Sequence, residues 1–440
     1  MTDPDPLDGS GTAVAPGTGP GTVHDVVVIG AGPSGSACAY WLAEAGWDVL
    51  LLEKKRFPRE KTCGDGLTPR SVRQLTDMGL ASTLEGHHRF DGLRSLAFGR
   101  TLELAWPEHP GFPRHGYVVT RHDLDQLVSE RAEKAGALLW EESEATAPVV
   151  EAGRVVGATV KRKDPGGGPA ATVEVRARAV VVSDGSNSRI GRALGAGRDK
   201  NLPQGMAIRA YYTSPRHDEP WIESHLDVRD REGNVLPGYG WIFPVGDGRV
   251  NVGVGLLSTF RHWKDVNTSQ LMDAFVEWAP ESWDISPASA CGPATGGRLP
   301  MSLSVGPRHG PGWLLTGDAA GAINPFNGEG IAYAYETGRM AALTLSEALS
   351  EGSGPVPTAA LARYEDRLQA SYGLYYKVAA AFVAIIGRPR LMRLLVGTGM
   401  HSRSLMEWVL RIMSNTLRPD ELGPAEAAYR AVAAIAALTP

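Results

Sequence analysis

The period of apolar and polar positions changes several times along the 440 residues. "HDVVVIGAGPSGSACAYWLAEAGWDVLLLEK" opens with a β-branched run, Val26 to Ile29, that meets glycines at once and predicts a buried strand. A helical stretch runs on to Ala45, Gly46 stops it, and a second apolar run ends in Glu53. "ARAVVVSDG" and "GWLLTGDAAG" repeat the pairing of buried strand and glycine turn. The latter leads through a Pro325 loop into a long helix from about Glu329. Between them "GMAIRAYYT", "WIESHLDV", "GYGWIFPV" and "RVNVGVGLL" alternate in twos, which predicts an antiparallel sheet with one packed face and one lining a cavity. "LRSLAFGRTLELAW" adds strands to that sheet. "VVEAGRVVGATVKRKDPGGGPAATVEVRARAV" reads as a β-hairpin with a loop at Gly166 to Pro169. The final segment, 351–440, is helical.

Composition narrows the class. Hydrophobic residues make up 43%, charged residues 21%, and the net charge is −5, so the chain is globular and nothing favours nucleic acid as a partner. The first 22 residues hold three aspartates, no lysine or arginine, and many Gly, Pro and Thr; they read as a disordered tail rather than a signal peptide. No apolar run approaches the roughly 20 residues of a spanning helix. Cys38, Cys63 and Cys291 are odd in number and far apart, with no CxxC pair or histidine cluster, which disfavours disulfides and a metal site and suits a reducing cytoplasm. From Lys377 to Arg418 seven basic residues stand against the single acid Glu407, with "VAAAFVAII" and "LMRLLV" among them. That pattern suits a helical surface lying on anionic lipid, on the cytoplasmic face of a membrane. Helices capping the core with solvated arginines would give the same text.

The strand–turn–helix–strand from His24 to Glu53 carries a dinucleotide fingerprint. Gly30 permits the turn, Gly32 lets a phosphate approach the backbone, and Gly35 lets helix and strand pack. Ala31, Pro33 and Ser34 complete the loop, the helix N-terminus offers unpaired N–H groups to a pyrophosphate, and Glu53 ends its strand where an acid accepts ribose hydroxyls. Cys38, inside this helix, reads as a small buried residue. "EKTCGDGLTP" then sets Cys63, Gly64, Asp65 and Gly66 in a tight turn, which by itself is compatible with a redox centre, a metal ligand, a nucleophile or a simple turn. A nucleophile wants a base, and the neighbourhood offers Lys54, Lys55 and Lys61 but no histidine.

A strand ending in Gly317-Asp318, about 290 residues after the first glycine turn, resembles the flavoprotein superfamily with the p-hydroxybenzoate hydroxylase fold. The resemblance implies FAD, with Asp318 on the ribityl chain and the backbone at Gly328, Gly330 and Ile331 facing the flavin pyrimidine edge. It also implies that Arg121, in "VTRHDLDQLV", reaches the cofactor, and that Asp184 belongs to the cofactor site. Taken alone, Arg121 and Asp184 read equally as residues of a helix start and a turn. "FPREKTCGDGLTPRSV", "GYGWIFPVGDGRVNVGVG" and "GDAAGAINPFNGEGI" together resemble the geranylgeranyl reductase family, most closely its actinobacterial menaquinone reductase branch. Here Thr62 precedes the cysteine where the family often has proline.

The fold expected is therefore α/β, with a discontinuous Rossmann-like FAD-binding domain (23–90, 114–200 and 294–350), an antiparallel substrate domain (91–113 and 201–293) and a C-terminal helical region (351–440). The resemblance implies saturation of isoprenoid double bonds by hydride from reduced flavin N5. The substrate is then an isoprenoid lipid or quinone, and the electrons come from an external donor, a nicotinamide such as NADPH or a ferredoxin. Trp241 and Phe243 would line an apolar tunnel. Cys63, Gly64, Asp65 and Gly66 are expected at the flavin, the two glycines letting the backbone pass a planar ring with N–H groups reaching N5 or O4; Tyr239, Cys63 or ordered water remain open as proton donor, and Cys63 as a residue that positions substrate or tunes the flavin. The alternative is a flavin monooxygenase or halogenase of the same fold; halogenases carry Trp-x-Trp-x-Ile-Pro, where this chain has Tyr239, Trp241, Phe243 and Pro244.

Overall fold

A computed structural model describes residues 22–164 and 167–417, and beyond them Gly423, Glu426, Ala427, Tyr429, Arg430 and Ala433. The expected tail (all but Thr22), Gly166 of the expected loop, and Arg418 lie outside the described residues.

The first strand, Val23–Ile29, sits inside a sheet ordered His309–Gly310, Trp313–Leu315, Ala171–Val182, Val23–Ile29, Val49–Leu52, Leu138–Trp140. All but the His309–Gly310 edge run parallel. A parallel strand covered on both faces must be apolar on both, which is why its text does not alternate. Val26 and Val28 pack with Ala37, Leu124 and Tyr335 from the helices Pro33–Glu44, Arg121–Lys134 and Ile331–Ser350. Val27 and Ile29 face the opposite layer, where Val155, Ala158 and Val160 lie.

That layer differs from the predicted hairpin. It is a three-strand meander of Ser143–Glu151, Arg154–Arg162 and Ala171–Val182, with its tight turn at Ala152 and Gly153, both at positive φ. Ala171–Val182 is long enough to pair with the meander at its start and the parallel sheet at its end.

The second sheet has seven strands, ordered Thr295–Pro300, Gln204–Thr213, Arg249–Leu257, Gly238–Pro244, Trp221–His225, Gly92–Ala97, Arg100–Ala105. All neighbours are antiparallel except Trp221–His225 with Gly92–Ala97. The helix Thr268–Trp278 covers its back, and a Cβ on Gly240 would overlap the Phe275 ring. Because strand side chains alternate, Tyr239, Trp241 and Phe243 then face the other way. A small sheet of Gly66–Leu67, Gly116–Val118 and His88–Phe90 joins the two large ones.

The long helix begins at Ile331, two residues after the expected start, because Gly328 at φ +75° and Gly330 still belong to the turn. The C-terminal helices Thr358–Leu368, Leu374–Ile386, Pro389–Gly399 and Arg403–Met413 follow. Tyr364, Tyr372, Tyr375 and Tyr376 bury against the long helix, while Met406 and Leu410 pack with Phe90 and Trp106. Among the described residues no helix is long and apolar enough to cross a membrane.

Candidate active site

The glycine turn after Val23–Ile29 is built by contacts within the fold. A Cβ on Gly30, at φ +99°, would lie 2.6 Å from the Ser183 carbonyl oxygen, and one on Gly35 would overlap the Gly30 carbonyl. Gly32 meets only the Arg121 guanidinium, at 3.9 Å, so its side of the turn is open. Gly32 is also the N-cap of Pro33–Glu44, with no side-chain cap, which leaves the first N–H groups for a ligand. Ser34 and Ser183 each bond the Thr316 hydroxyl at 2.7 Å, tying two strand ends to the helix start beneath the turn.

Charged residues close this end. Glu53 accepts from the Ala31 N–H at 3.3 Å and the Lys55 N–H at 3.0 Å, and pairs with Arg59 at 3.1 Å. Arg59 also reaches Asp125 at 2.8 Å, and Asp125 holds Arg121 in a two-pronged bond of 2.7 and 2.6 Å. Arg59 and Asp125 were missed in the sequence; only Asp125, one helical turn after Arg121, carried a readable signal. Asp184 is engaged differently. Its Oδ2 caps the helix Arg189–Ala193 through the N–H groups of Arg189 and Ile190, while Oδ1 has no hydrogen-bond partner among the described residues. Gly317 packs on Ser34, where a Cβ would sit 2.8 Å from the serine Cβ, and Asp318 stands beside Gly330.

The Cys63–Gly66 turn is fastened to the seven-stranded sheet. The Cys63 carbonyl accepts from Arg209 at 3.1 Å and from Asn251 at 2.9 Å. Asp65 is fully buried in the left-handed region (φ +64°); its Oδ2 accepts from the Tyr211 hydroxyl and from Asn251 at 2.7 Å, and its Oδ1 from the Arg121 N–H at 3.3 Å. Burial pushes the Asp65 carboxyl up to about 6, against these hydrogen bonds and the nearby Arg209 and Arg121. Burial likewise raises the Cys63 thiol, with Arg121 opposing. Arg209, Tyr211 and Asn251 are three functional candidates that sequence reasoning missed. The signal was present: Arg209 and Tyr211 share a face of their strand, and Asn251 interrupts the apolar "RVNVGVG".

Tyr239, Trp241 and Phe243 form a row on one face of their strand, with ring centroids 5.7 and 6.3 Å apart in succession. Trp241 is positioned by its indole N–H, which donates to Asn251 Oδ1 at 2.9 Å, and by Gly253 opposite, where a Cβ would overlap the indole. Cβ atoms on Gly64 and Gly66 would meet Phe243 at 3.3 and 3.1 Å. The ring these glycines approach here is thus the protein's own. Tyr239 donates to the Asn327 carbonyl at 2.6 Å, beside Gly328.

Glu329, between Gly328 and Gly330, is another residue the sequence reading passed over. Its Oε1 accepts from Thr68 and, at 3.4 Å, from Ser71; its Oε2 is buried with no hydrogen-bond partner among the described residues. Burial pushes this carboxyl up to about 7, opposed by Thr68 and Arg70 and reinforced by Glu336.

FAD fits these residues. The open flank of Gly32, the uncapped helix start, Glu53 at a strand end, and the uncapped start of Ile331–Ser350 at Gly330 are the features a long dinucleotide needs. The model of the FAD binding domain family matches residues 23–269. A menaquinone reductase of Mycolicibacterium smegmatis is 39% identical over 91% of this chain and 93% of its own length. A digeranylgeranylglycerophospholipid reductase of Methanopyrus kandleri is 32% identical over 79% of this chain and 86% of its own. Among solved structures, a geranylgeranyl bacteriochlorophyll reductase-like protein of Thermoplasma acidophilum superposes with a TM-score of 0.70 at 24% identity, covering 93% of this chain and 96% of that one. The flavin-dependent brominase Bmp2 gives 0.72 at 20% identity, covering 93% and 98%, so the fold is shared with halogenases while the sequence likeness lies with the reductases. The chain belongs to the FAD-binding family that holds the menaquinone and digeranylgeranylglycerophospholipid reductases.

Proposed function

We propose that the isoprenoid reduced by this FAD-dependent oxidoreductase is the polyprenyl chain of menaquinone. The observation that carries the reading is the aromatic wall of Tyr239, Trp241 and Phe243 packed on the Cys63–Gly66 turn, an apolar surface beside the dinucleotide cradle. The higher identity to menaquinone reductase, 39% against 32%, favours menaquinone over a geranylgeranyl phospholipid.

Gly30 to Gly35, Glu53, Arg121, Asp318 and the Gly330–Ile331 backbone would hold FAD, which when bound and reduced supplies the hydride. An isolated trisubstituted alkene has no carbonyl to polarise it, so a proton must reach one carbon as the hydride reaches the other. Trp241 and Phe243 exclude water and present ring faces that stabilise developing positive charge by about 0.5–2 kcal/mol each. Asn251 fixes the indole and the turn at once, so the aromatic row and the turn share one anchor.

The exposed leucines of the C-terminal helices support peripheral attachment to anionic membrane, where such a substrate resides. Leu391, Leu394, Leu395 and Leu405 are exposed among the exposed Arg388, Arg390, Arg393 and Arg403. An external nicotinamide or ferredoxin supplies the electrons.

The test is anaerobic reduction of the FAD-loaded protein, incubation with menaquinone or a geranylgeranyl phospholipid, and mass spectrometry. Menaquinone should gain two hydrogens. Gain on the phospholipid alone would reassign the substrate, gain of oxygen or halogen would favour the monooxygenase or halogenase, and no product would leave a binder. Sedimentation with anionic vesicles checks the membrane face: binding should weaken as salt rises, and salt-insensitive or absent binding would refute it.

A further inference from the structure

Every route to saturating an isolated alkene needs a proton source, and the acids of this site differ in how their oxygens are engaged. Glu53 and Asp65 have both oxygens bonded by N–H, O–H or guanidinium donors. The Tyr239 proton is directed to the Asn327 carbonyl, and the Cys63 thiol is raised by burial into a weaker acid. Glu329 alone of these three acids leaves an oxygen, Oε2, buried and without a hydrogen-bond partner among the described residues. Its other oxygen is held by Thr68 and Ser71 at the start of the helix Pro69–Asp77, which follows the cysteine turn, so the carboxyl ties that helix start to the Gly328–Gly330 turn, where Tyr239 also bonds.

We propose that Glu329 is the general acid of the reduction, delivering its Oε2 proton to one carbon of the isoprenoid double bond. The inference rests on the isoprenoid-reducing reading above. The balance is complete: the π bond breaks, a C–H bond forms with the hydride of the reduced flavin, which is thereby oxidised, and a second C–H bond forms with the Glu329 proton. The carboxylate left behind is reprotonated from solvent before the next turnover. The groups facing it agree with a proton that is held but exchangeable. Arg70 favours the carboxylate from the helix Pro69–Asp77, Glu336 opposes it from the long helix, and Tyr333 and Tyr239 lie close enough for Glu329 to hold their hydroxyls protonated. Held near 7, such a group is protonated for part of the time at neutral pH and loses little driving force on transfer.

The experiment compares wild type, Glu329→Gln and Glu329→Asp. Glu329→Gln should keep its FAD content and flavin reduction potential, while oxidation of the prereduced enzyme by substrate slows by about 10²–10⁴-fold, the usual span for a lost general acid. The wild-type rate should fall as pH rises through about 7, and Glu329→Gln should lose that dependence while Glu329→Asp retains it. Wild-type rates in Glu329→Gln would overturn the assignment, as would a potential shift large enough to explain the slowing. Independently of substrate, the infrared difference between wild-type and Glu329→Gln apoprotein should show a protonated carboxyl band that vanishes as pH rises through about 7; no such band would also overturn it. A wild type that reduces no isoprenoid refutes the functional reading and the proposal with it, whereas an active Glu329→Gln refutes the proposal alone.

Discussion

The turn at Gly30–Gly35 and the turn at Cys63–Gly66 look alike as text, with glycines spaced through a short loop after a strand or an extended segment, yet the space they leave is used differently. In the first, Gly30 and Gly35 are pressed against backbone carbonyls while Gly32 faces only a distant guanidinium. In the second, Gly64 and Gly66 are both met by the Phe243 ring, and Asp65 between them is bonded from three sides. The first loop holds open a place for a ligand. The second is closed onto the protein's own Phe243 ring, so it couples the turn to the aromatic strand. Glycine spacing therefore announces close approach, and only the partner atoms tell what approaches.

The contrast within the first turn gives the largest expected effect. Gly35→Ala places a methyl group on a carbonyl that cannot move without opening the turn, so destabilisation at or beyond the upper end of the about 1–3 kcal/mol of overpacking is expected, with FAD lost as well. Gly32→Ala meets nothing nearer than 3.9 Å, so the thermal midpoint of the apoprotein should be unchanged while FAD binds at least about tenfold more weakly. Apoprotein melting and flavin titration read the two separately. Equal melting of both variants would break the distinction between packing and ligand glycines.

The second turn gives a smaller effect and a rescue. Gly66→Ala sets a Cβ 3.1 Å from Phe243, tighter than van der Waals contact, and should cost about 1–2 kcal/mol. Phe243→Leu removes ring atoms at that point, so the double variant should recover part of the loss, a coupling between two residues 177 positions apart in the chain. Additive losses in denaturant melts would show that the ring yields freely and that the turn is not closed onto the wall.

How much of this was readable depends on whether the physics is local. The parallel core was legible because Val26 to Ile29 is apolar on both faces and its glycines follow at once. The aromatic wall was legible because Tyr239, Trp241 and Phe243 alternate. What escaped is what tertiary contact decides. Arg59 becomes a member of the cofactor end only by spanning to Glu53 and Asp125, and Glu329 gains its unpartnered oxygen only where the helix start at Thr68 meets it from 261 residues away. The meander was read as one hairpin because the Gly/Pro loop near 166 outweighed the two-residue turn at Ala152 and Gly153.

Asp65 offers the finest test of the coupled turn, because its charge state reports on burial between the turn and the second sheet. Its carboxyl is raised from an ordinary value near 4 to about 6 in the fold, so between those pH values the folded protein binds more protons than the unfolded chain. Its contribution to stability is then fully present below about pH 4 and is lost as pH rises through about 6. A single group gives at most about 1.4 kcal/mol for each pH unit. Asp65→Asn should be less stable at every pH, since one amide oxygen cannot serve donors on both sides of the carboxyl. Its stability should nonetheless fall less steeply than wild type between about pH 4 and 6. Identical slopes in denaturant melts across that window would mean that the carboxyl is ionised throughout, held by Tyr211, Asn251 and Arg121, and that the turn remains wetter than its burial implies.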